Sequence, residues 1–270
     1  MILSSPLPVV LIGCGAVSRL FYTPVLRALE AAGCLRVKAI VVPVVSPRLA
    51  REISAWRTEG VDVVPLLTGV DGPEYKEGAH GNYVLMSGAL LASDRSKPEF
   101  LQKSFAAAWV RFKAIRSDAR WIYTGRDYAF FDQPVASLAE NLGLLDDESF
   151  RKILVRGTCA VLPIEHRVDG WRFSVPSRLI SLIAAGVPII APPNAGTATG
   201  DFLKDHEGEG VIIVRNEDEC LSALKKLFTE PEFRLSRHLK ALERGKAFCP
   251  KVGRERFMAA LSRVTASIRS

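Results

Sequence analysis

The segment from Glu165 to Asp169 brings together side chains that could transfer protons. Glu165 and Asp169 supply carboxylates, and His166 supplies an imidazole, the side chain that titrates nearest to neutral pH. The segment follows an apolar run, and loops that follow strand carboxyl ends are where open α/β sheets bind their ligands. These three residues are our candidates for catalysis, with a surface histidine as the alternative reading of His166.

Two small-residue segments could bring backbone amides close to a phosphate. Gly13 and Gly15 follow an apolar run, with Ser18 standing where a third glycine would complete a dinucleotide-binding turn. Gly196 and Thr197 lie in a second such segment, and small residues allow close backbone approach to a ligand. We predict phosphate or sugar contact at the second segment, with a plain connector as the alternative.

Alternation of short apolar strands with helical segments predicts an α/β protein with parallel sheets. We expect two Rossmann-like units, a small N-terminal βαβαβ unit over residues 1–65 and a larger unit over residues 83–250. A Gly- and Pro-rich linker, residues 66–82, separates them, and residues 251–270 form a basic amphipathic helix.

The larger unit is predicted in more detail from apolar runs and helix boundary signals. Its predicted strands are 83–87, 121–124, 158–162, 187–191 and 208–214. Its predicted helices are 97–115, 134–141, 176–185, 217–228 and 232–247, followed by 254–268 at the end of the chain.

Several segments of the larger unit occur in an order typical of one enzyme class. They are SKPEF (96–100), DARWIYTG (118–125), CAVLPI (159–164) and VPSRLISLIAAGVPIIAP (175–192). From residue 61 to about 250 the series resembles the donor-binding domain of GT-B glycosyltransferases. The resemblance implies a glycosyltransferase that binds a nucleoside-diphosphate sugar in its C-terminal domain and transfers the sugar to an acceptor in the facing cleft.

The same resemblance implies where the donor binds. Metal-independent enzymes of this fold offset the diphosphate charge with cations and helix-terminal amides. Lys97 stands at the matching position, and Arg126 and Arg178 are further candidates. The other implied donor-binding residues are Gly88, Gly125, Ser177, Ser181, Gly196 and Thr197. No metal ion or other cofactor is required.

Two departures from the family pattern support an inactive nucleotide-binding or scaffold protein as an alternative. The family often carries a ribose-binding glutamate where this sequence has Ser181, and a second acidic position falls near Phe173. A hydroxyl or an aromatic ring cannot accept all the hydrogen bonds that a carboxylate accepts.

The stretch VVLIGCGAVSRLFYTPVLRAL (9–29) resembles the NAD(P)-binding start of the glucose-fructose oxidoreductase and inositol dehydrogenase family. It implies an NAD(P)-dependent oxidoreductase as a second alternative. The acidic residue that usually binds the ribose is Pro43 here, and the only Lys-Pro pair, Lys97-Pro98, follows Ser96 instead of the glutamate of the family's catalytic motif. We therefore predict that NAD(P) does not bind tightly.

The composition of the chain limits its expected cellular location and its expected partners. The five cysteines lack the spacing of zinc ligands, and we expect a reducing, cytoplasmic location. The net charge of +7 is concentrated in the last helices, so we add peripheral membrane contact as a hypothesis. The expected partners are a nucleotide sugar and a glycan or lipid-linked acceptor, but no nucleic acid. A partner chain that completes the small N-terminal unit is a further hypothesis.

Overall fold

A computed structural model describes residues 7–12, 28, 31–32, 35–41, 48, 81–87, 99–125, 133–162 and 175–269. Strands β1 (Leu7–Ile12) and β2 (Leu35–Val41) pair in parallel, with Leu7 opposite Leu35. We call this two-stranded sheet the small unit, and the six-stranded sheet with its helices, from Gly81 onward, the larger unit. Both units have parallel sheets, so the predicted α/β class is confirmed.

Six parallel strands form the sheet of the larger unit. They are β3 (Tyr83–Ser87), β4 (Arg120–Thr124), β5 (Glu140–Asn141), β6 (Cys159–Val161), β7 (Ile189–Ala191) and β8 (Val211–Ile213). Their spatial order is β5-β4-β3-β6-β7-β8. Along the chain, β4 and β5 extend the sheet from β3 to one edge. The chain then returns to place β6 on the other side of β3, and β7 and β8 extend the sheet to the opposite edge. The point between β3 and β6 is a topological switch point.

Helices connect the strands and cover both faces of the sheet. A π-helical segment (Phe100–Phe105) continues as α1 (Ala106–Ile115). The others are α2 (Gln133–Ala136), α3 (Asp147–Leu154), α4 (Ser177–Ala184), α5 (Ala198–Asp205), α6 (Glu217–Thr229), α7 (Pro231–Gly245), a 3₁₀ turn (Lys246–Phe248) and α8 (Pro250–Arg269). The backbone of α8 lies beside β2 of the small unit.

The two sheet faces have separate apolar cores because side chains alternate along a strand. Val84 and Met86 of β3 pack in the core under α1 and α6, which is rich in aromatic rings. There the Phe105 and Trp121 ring centroids lie 4.9 Å apart, edge to face. Leu85 packs in the opposite core, under α4 and α5. Truncating one fully buried aromatic of this kind to alanine typically costs about 3–5 kcal/mol.

Helix α6 shows how local signals and packing agree. Asn216 caps it by accepting a hydrogen bond from the Glu219 amide at 2.9 Å, and Glu219 accepts one from the Arg215 amide at 2.9 Å. Arg111 of α1 lies 2.8 Å from both Glu217 and Asp218, acids in the first turn of α6. Acidic side chains at a helix N-terminus interact favourably with the helix dipole. Both the Asn216 cap and these acidic side chains therefore stabilise the start of α6.

The structure corrects three predicted boundaries. The helix predicted over 134–141 ends at Ala136, and Glu140–Asn141 instead pairs with β4 as a short edge strand. Helix α3 was not predicted, although Asp146 caps it through the Ser149 amide at 2.8 Å. The small-residue segment after β7 continues as α5 instead of remaining a loop.

Two kinds of feature are absent from the part of the chain that the structure describes. No helix there is long and apolar enough to cross a membrane. No group of His, Cys, Asp or Glu side chains there has an arrangement suited to hold a metal ion.

Candidate functional site

The carboxyl ends of β3 and β6 lie side by side at the switch point, where open α/β sheets bind ligands in a crevice. Ser87 ends β3, and Leu162 follows β6; both are buried. The predicted donor-binding residues Ser177, Arg178 and Ser181 belong to α4, the helix that follows β6. The topology thus brings α4 to the strand end where the resemblance implies donor binding.

Arg178 links α4 to this strand end directly. Its Nη1 donates a hydrogen bond of 2.6 Å to the backbone carbonyl of Ser87, 91 residues away in sequence. Pro176, in extended conformation, directly precedes α4, so Arg178 lies in the first helical turn. A guanidinium has five donors, and this bond holds its head beside the end of β3. Arg178 therefore ties the start of α4 to the end of β3. Its contact with a donor diphosphate stays a prediction.

The two serines of α4 differ in what their hydroxyls contact. Ser177 opens the helix and is exposed. The Ser181 Oγ donates a hydrogen bond of 3.1 Å to the Ser177 carbonyl one turn earlier. This bond satisfies the hydroxyl within the helix, as is common for serine in helices.

Gly125 lies at the carboxyl end of β4, as predicted. Its amide donates to the Gly143 carbonyl at 2.9 Å, which ties the segment after β4 to the one after β5. Gly143 has φ of +66°, a left-handed conformation that glycine adopts without the steric cost of a side chain.

A pocket with a volume of about 480 Å³ opens at the same edge of the sheet, beside β7 and β8. This volume falls within the range of roughly 300–1,000 Å³ that is typical of small-molecule sites. Three parts of the chain line it: the start of the π-helical segment that leads into α1, the segment after β7, and the residue that follows Val214. The lining residues are Glu99, Phe100, Lys103, Ser104, Pro192, Pro193, Asn194, Ala195, Thr197 and Arg215.

The segment between β7 and α5 forms a tight wall of this pocket. Gly196 has φ of +77°, and Thr197 caps α5 by accepting a hydrogen bond from the Gly200 amide at 3.0 Å. The Thr197 hydroxyl also donates to the Asn194 carbonyl at 2.7 Å. Gly200 approaches Asn194 so closely that a Cβ at position 200 would lie 1.8 Å from that carbonyl oxygen. Glycine is therefore required at position 200 for packing.

Two ion pairs lie at the pocket, and each contributes a cation to its lining. The Lys103 Nζ lies 2.8 Å from a Glu99 carboxylate oxygen, one helical turn away. The Arg215 guanidinium lies 3.5 Å from Glu219. All four side chains are more than a third exposed, so each pair contributes little to stability, typically about 0.2–1 kcal/mol. The cations remain accessible to an anionic ligand.

The N-terminal part of the chain contacts the larger unit next to this pocket. Arg48 forms a two-pronged ion pair with Asp201 in the first turn of α5, with nitrogen–oxygen distances of 2.9 and 3.0 Å. A planar guanidinium facing a carboxylate in this way is the strongest common geometry for such a pair. The pocket therefore lies close to where the N-terminal segment meets the larger unit.

Other predicted site residues lie outside the described part of the chain. They are Gly13, Gly15 and Ser18 of the dinucleotide-like turn, Gly88, Lys97 and Arg126 of the donor site, and Glu165, His166 and Asp169. Pro43 and Phe173 lie outside it as well. Among the described candidates, Arg178 reaches the end of β3, and Gly196 and Thr197 belong to the pocket segment.

Sequence reasoning missed most of the pocket lining. Asn194 and Arg215 follow β7 and β8 within a few residues, which is the available signal, because residues after parallel strands meet at one edge. Glu99, Phe100 and Lys103 gave no such signal. They reach the pocket through a π-helical segment, a rare conformation found frequently at functional sites.

Solved structures similar in fold to this chain include glycosyltransferases, which confirms the Rossmann-like, GT-B-type α/β fold predicted for the larger unit. A TarM variant from S. aureus, in complex with UDP, matches 83% of this chain and 44% of its own (TM-score 0.56, 12% identity). AviGT4, a glycosyltransferase involved in avilamycin A biosynthesis, matches 86% of this chain and 70% of its own (TM-score 0.55, 15% identity). A sucrose-phosphate synthase from Thermosynechococcus elongatus matches 89% and 61% (TM-score 0.57, 13% identity).

These similarities concern the fold, and the chain spans less than half of TarM and less than two thirds of the synthase. No family model matches the sequence. No curated protein matches it either.

Proposed function

We propose that the chain is a glycosyltransferase that binds a nucleoside-diphosphate sugar at the switch point and transfers the sugar without a metal ion. The observation that carries the proposal is the position of Arg178, whose guanidinium lies at the end of β3 in a fold similar to known glycosyltransferases. The donor diphosphate is the ligand that such a cation, at the start of a helix, stabilises.

The roles of individual residues follow from this arrangement. Lys97 and Arg126 follow β3 and β4 in the sequence, and the carboxyl ends of these two parallel strands lie at the same edge of the sheet as Arg178. In the proposal these three cations offset the diphosphate charge as it develops on the leaving group. Glu165, His166 and Asp169 follow β6 and are the proposed source of the base that accepts the acceptor's proton.

UDP is the first ligand to test, since one of the structures similar in fold holds UDP. Isothermal titration calorimetry of the full chain with UDP, GDP and ADP tests the proposal. We expect saturable binding of at least one of them. Lys97→Ala should weaken it, because one charge-assisted contact is worth about 1.5–3 kcal/mol.

Lys152→Ala is the matched control for Lys97→Ala. Lys152 is an exposed lysine of α3 that pairs with Glu148 at 2.6 Å and lies away from the donor-binding residues in sequence. It should leave the affinity unchanged. A folded protein that binds none of the three nucleotides would contradict the proposal.

The oxidoreductase alternative makes a different prediction about the N-terminal turn. Gly13 and Gly15 favour it, and Ser18 and Pro43 oppose it. We predict that NADH binds weakly or not at all in a fluorescence titration. Saturation at micromolar NADH would favour the oxidoreductase.

A membrane-bound acceptor is part of the proposal. The exposed residues of α8 include Arg254, Arg256 and Met258, a combination suited to an anionic membrane surface. Each cation near such a surface contributes about 1 kcal/mol. We predict that the full chain sediments with anionic vesicles in a salt-sensitive manner. Equal sedimentation with neutral vesicles would contradict this part of the proposal. The main role of α8 would then be to pack beside β2.

A further inference from the structure

An ion pair joins the part of the chain after β2 to the start of α5. The Arg48 guanidinium donates to both carboxylate oxygens of Asp201, through Nε at 2.9 Å and through Nη2 at 3.0 Å, across 153 positions of sequence. The Arg48 side chain is 22% exposed and that of Asp201 is 41% exposed, so the pair is partly shielded from water. A two-pronged arginine–carboxylate pair is specific in its geometry, and it therefore fixes where its two partners lie.

The first turn of α5 connects Asp201 to residues 194–197, which we call the donor segment because they include the predicted donor-binding residues Gly196 and Thr197. The Asp201 amide donates to the Thr197 carbonyl at 3.0 Å. The Thr197 hydroxyl in turn donates to the Asn194 carbonyl at 2.7 Å. A displacement of Asp201 would therefore displace Thr197 and, through Thr197, the backbone of the donor segment.

The donor segment depends on its two ends for its conformation. Ala195 and Gly196 have little or no side chain to pack, and Gly196 has φ of +77°, in a region that glycine adopts with the least restraint. At one end, β7 is held in the sheet, where the Ala191 carbonyl accepts from the Val214 amide at 3.0 Å. At the other end the segment runs into α5. The position of α5 therefore sets the shape of the donor segment.

Helix formation alone does not account for the arginine. Asp201 lies in the first turn of α5, where an acidic side chain interacts favourably with the helix dipole without any partner. Arg48 does not line the pocket, whereas Thr197 does. The arginine therefore adds a link from the part of the chain after β2 to a helix start that borders the pocket. This is the arrangement expected of a residue that acts on a binding site through its neighbour.

We propose that Arg48 is a positioning residue of the donor site. Through Asp201 it holds the start of α5, and so the donor segment, in the conformation that binds the nucleotide. The inference rests on the transferase function proposed above, because it concerns the same site. Nucleotide binding and formation of the ion pair then favour each other, since coupling between two sites is reciprocal.

The test is calorimetry of the full chain with whichever of UDP, GDP and ADP binds the unmodified chain most tightly. We expect Arg48→Gln to weaken binding about three- to tenfold, near the lower end of the usual coupling between sites, because the pair is only partly shielded. In an Asp201→Asn background the same substitution should change the affinity by less than about 1.5-fold, because the partner through which Arg48 acts has been removed.

Arg48→Lys keeps the charge and loses the two-pronged geometry. Its affinity should lie between those of Arg48→Gln and the unmodified chain. It also carries the comparison if Arg48→Gln does not fold.

Hydrogen–deuterium exchange of the nucleotide-free proteins measures the positioning step by itself. Arg48→Gln should increase exchange at the amides of Gly200 and Asp201, whose acceptors are the Thr197 hydroxyl and carbonyl. Urea unfolding of the same proteins measures global stability. A residue with a structural role alone would lower the free energy of unfolding and leave the nucleotide affinity of the folded protein unchanged.

Arg120→Gln is the matched control. Arg120 also donates through two nitrogens to a carboxylate on another element, Glu140, with its Nε at 2.9 Å. That pair lies at the amino end of β4, at the edge of the sheet opposite to the donor site. Arg120→Gln should change neither the nucleotide affinity nor exchange at the Gly200 amide.

The outcomes separate this inference from the proposed function. The positioning role is overturned, and the proposed function stands, if the nucleotide binds Arg48→Gln as tightly as it binds Arg120→Gln. The same conclusion follows if Arg48→Gln weakens binding equally with and without the Asp201 carboxylate, or if exchange at Gly200 and Asp201 does not change. Absence of nucleotide binding by the unmodified chain would overturn the proposed function, and the positioning role with it.

Discussion

The guanidinium of Arg178 donates a hydrogen bond to the backbone carbonyl of Ser87, joining the first turn of α4 to the carboxyl end of β3. This contact spans the switch point of the sheet. It fixes the helix N-terminus against the strand end from which the segment carrying Lys97 departs. Donor binding in this account depends on that alignment.

Arg178→Gln should reduce both stability and nucleotide affinity. Loss of a partly buried, charge-assisted hydrogen bond costs about 1.5–3 kcal/mol, because the Ser87 carbonyl loses a charged donor. Urea unfolding measures the first effect and UDP calorimetry the second. Arg151→Gln, a change at an exposed arginine of α3, should alter neither quantity. An Arg178→Gln protein with unchanged UDP affinity would show that the contact is structural only.

Gly200→Ala should destabilise the wall of the pocket. The new Cβ would lie 1.8 Å from the Asn194 carbonyl oxygen, so the backbone must move, at a cost of about 1–3 kcal/mol. Gly157→Ala is the control, since its Cβ would meet its nearest neighbour at an ordinary 3.5 Å. Thermal unfolding should separate the two variants, and equal melting temperatures would mean that the close approach is wrong.

Thr197→Ala should shorten or loosen α5. It removes the hydroxyl that accepts from the Gly200 amide and donates to the Asn194 carbonyl, and loss of such a cap costs about 0.5–2 kcal/mol. Thr197→Ser keeps both hydrogen bonds and should retain most of the stability. Asp146→Ala removes the cap of α3 instead and should cost a similar amount. A Thr197→Ser protein as unstable as Thr197→Ala would argue against the capping role.

His206 should make the protein less stable as the pH falls from 7 toward 5. Burial lowers the pKa of His206 below its ordinary 6.5, while a hydrogen bond to the Phe202 carbonyl and the nearby Asp205 and Glu209 partly oppose the shift. As the pH falls through 6.5, His206 is protonated in the unfolded chain before it is protonated in the folded protein, so the free energy of unfolding decreases. The decrease ends once the pH is below the lower pKa that His206 has in the folded protein. Below that, this contribution stays constant.

Urea unfolding at a series of pH values measures this effect. His206→Gln should flatten the pH dependence between 7 and 5 while lowering stability overall, because the ring stacks on Phe202 with centroids 4.1 Å apart. A separate loss should occur below about pH 4.5 in both proteins. Hydrogen bonds from Arg116 hold the pKa of Asp118 below 3.8, and those from Arg244 hold the pKa of Glu209 below 4.5. An unchanged slope between pH 7 and 5 in His206→Gln would rule out His206 as its source.

Most strands of the larger unit were predictable because they are largely buried apolar runs bounded by polar or small residues. Tyr83–Ser87 and Ile189–Ala191 are examples, with every residue buried. Helix α5 was missed because Thr199 and Gly200 are poor helix formers, and the helix is fixed instead by its Thr197 cap and by packing against Asn194. The edge strand Glu140–Asn141 was missed because pairing with β4 overrides its local sequence.

The candidate site could be predicted only in part for a similar reason. The order of the motifs led to Arg178, and a small-residue segment after a predicted strand led to Gly196 and Thr197. The pocket joins Lys103 to Arg215, which are far apart in sequence and meet because α6, which begins just after Arg215, packs against the π-helical segment and α1. No local pattern encodes such a meeting. The contact of Arg178 with Ser87 arises in the same way.

We propose above all that a nucleoside diphosphate binds at the carboxyl ends of the strands of the six-stranded sheet. Chemical-shift mapping of the ¹⁵N-labelled full chain during a UDP titration measures where it binds. We expect saturable shifts at the amides of Ser87, Gly125, Leu162 and Arg178, which lie at the ends of β3, β4 and β6 and at the start of α4. Absence of shifts at millimolar UDP, or shifts confined to the opposite edge at Gly81 and Gly157, would contradict it.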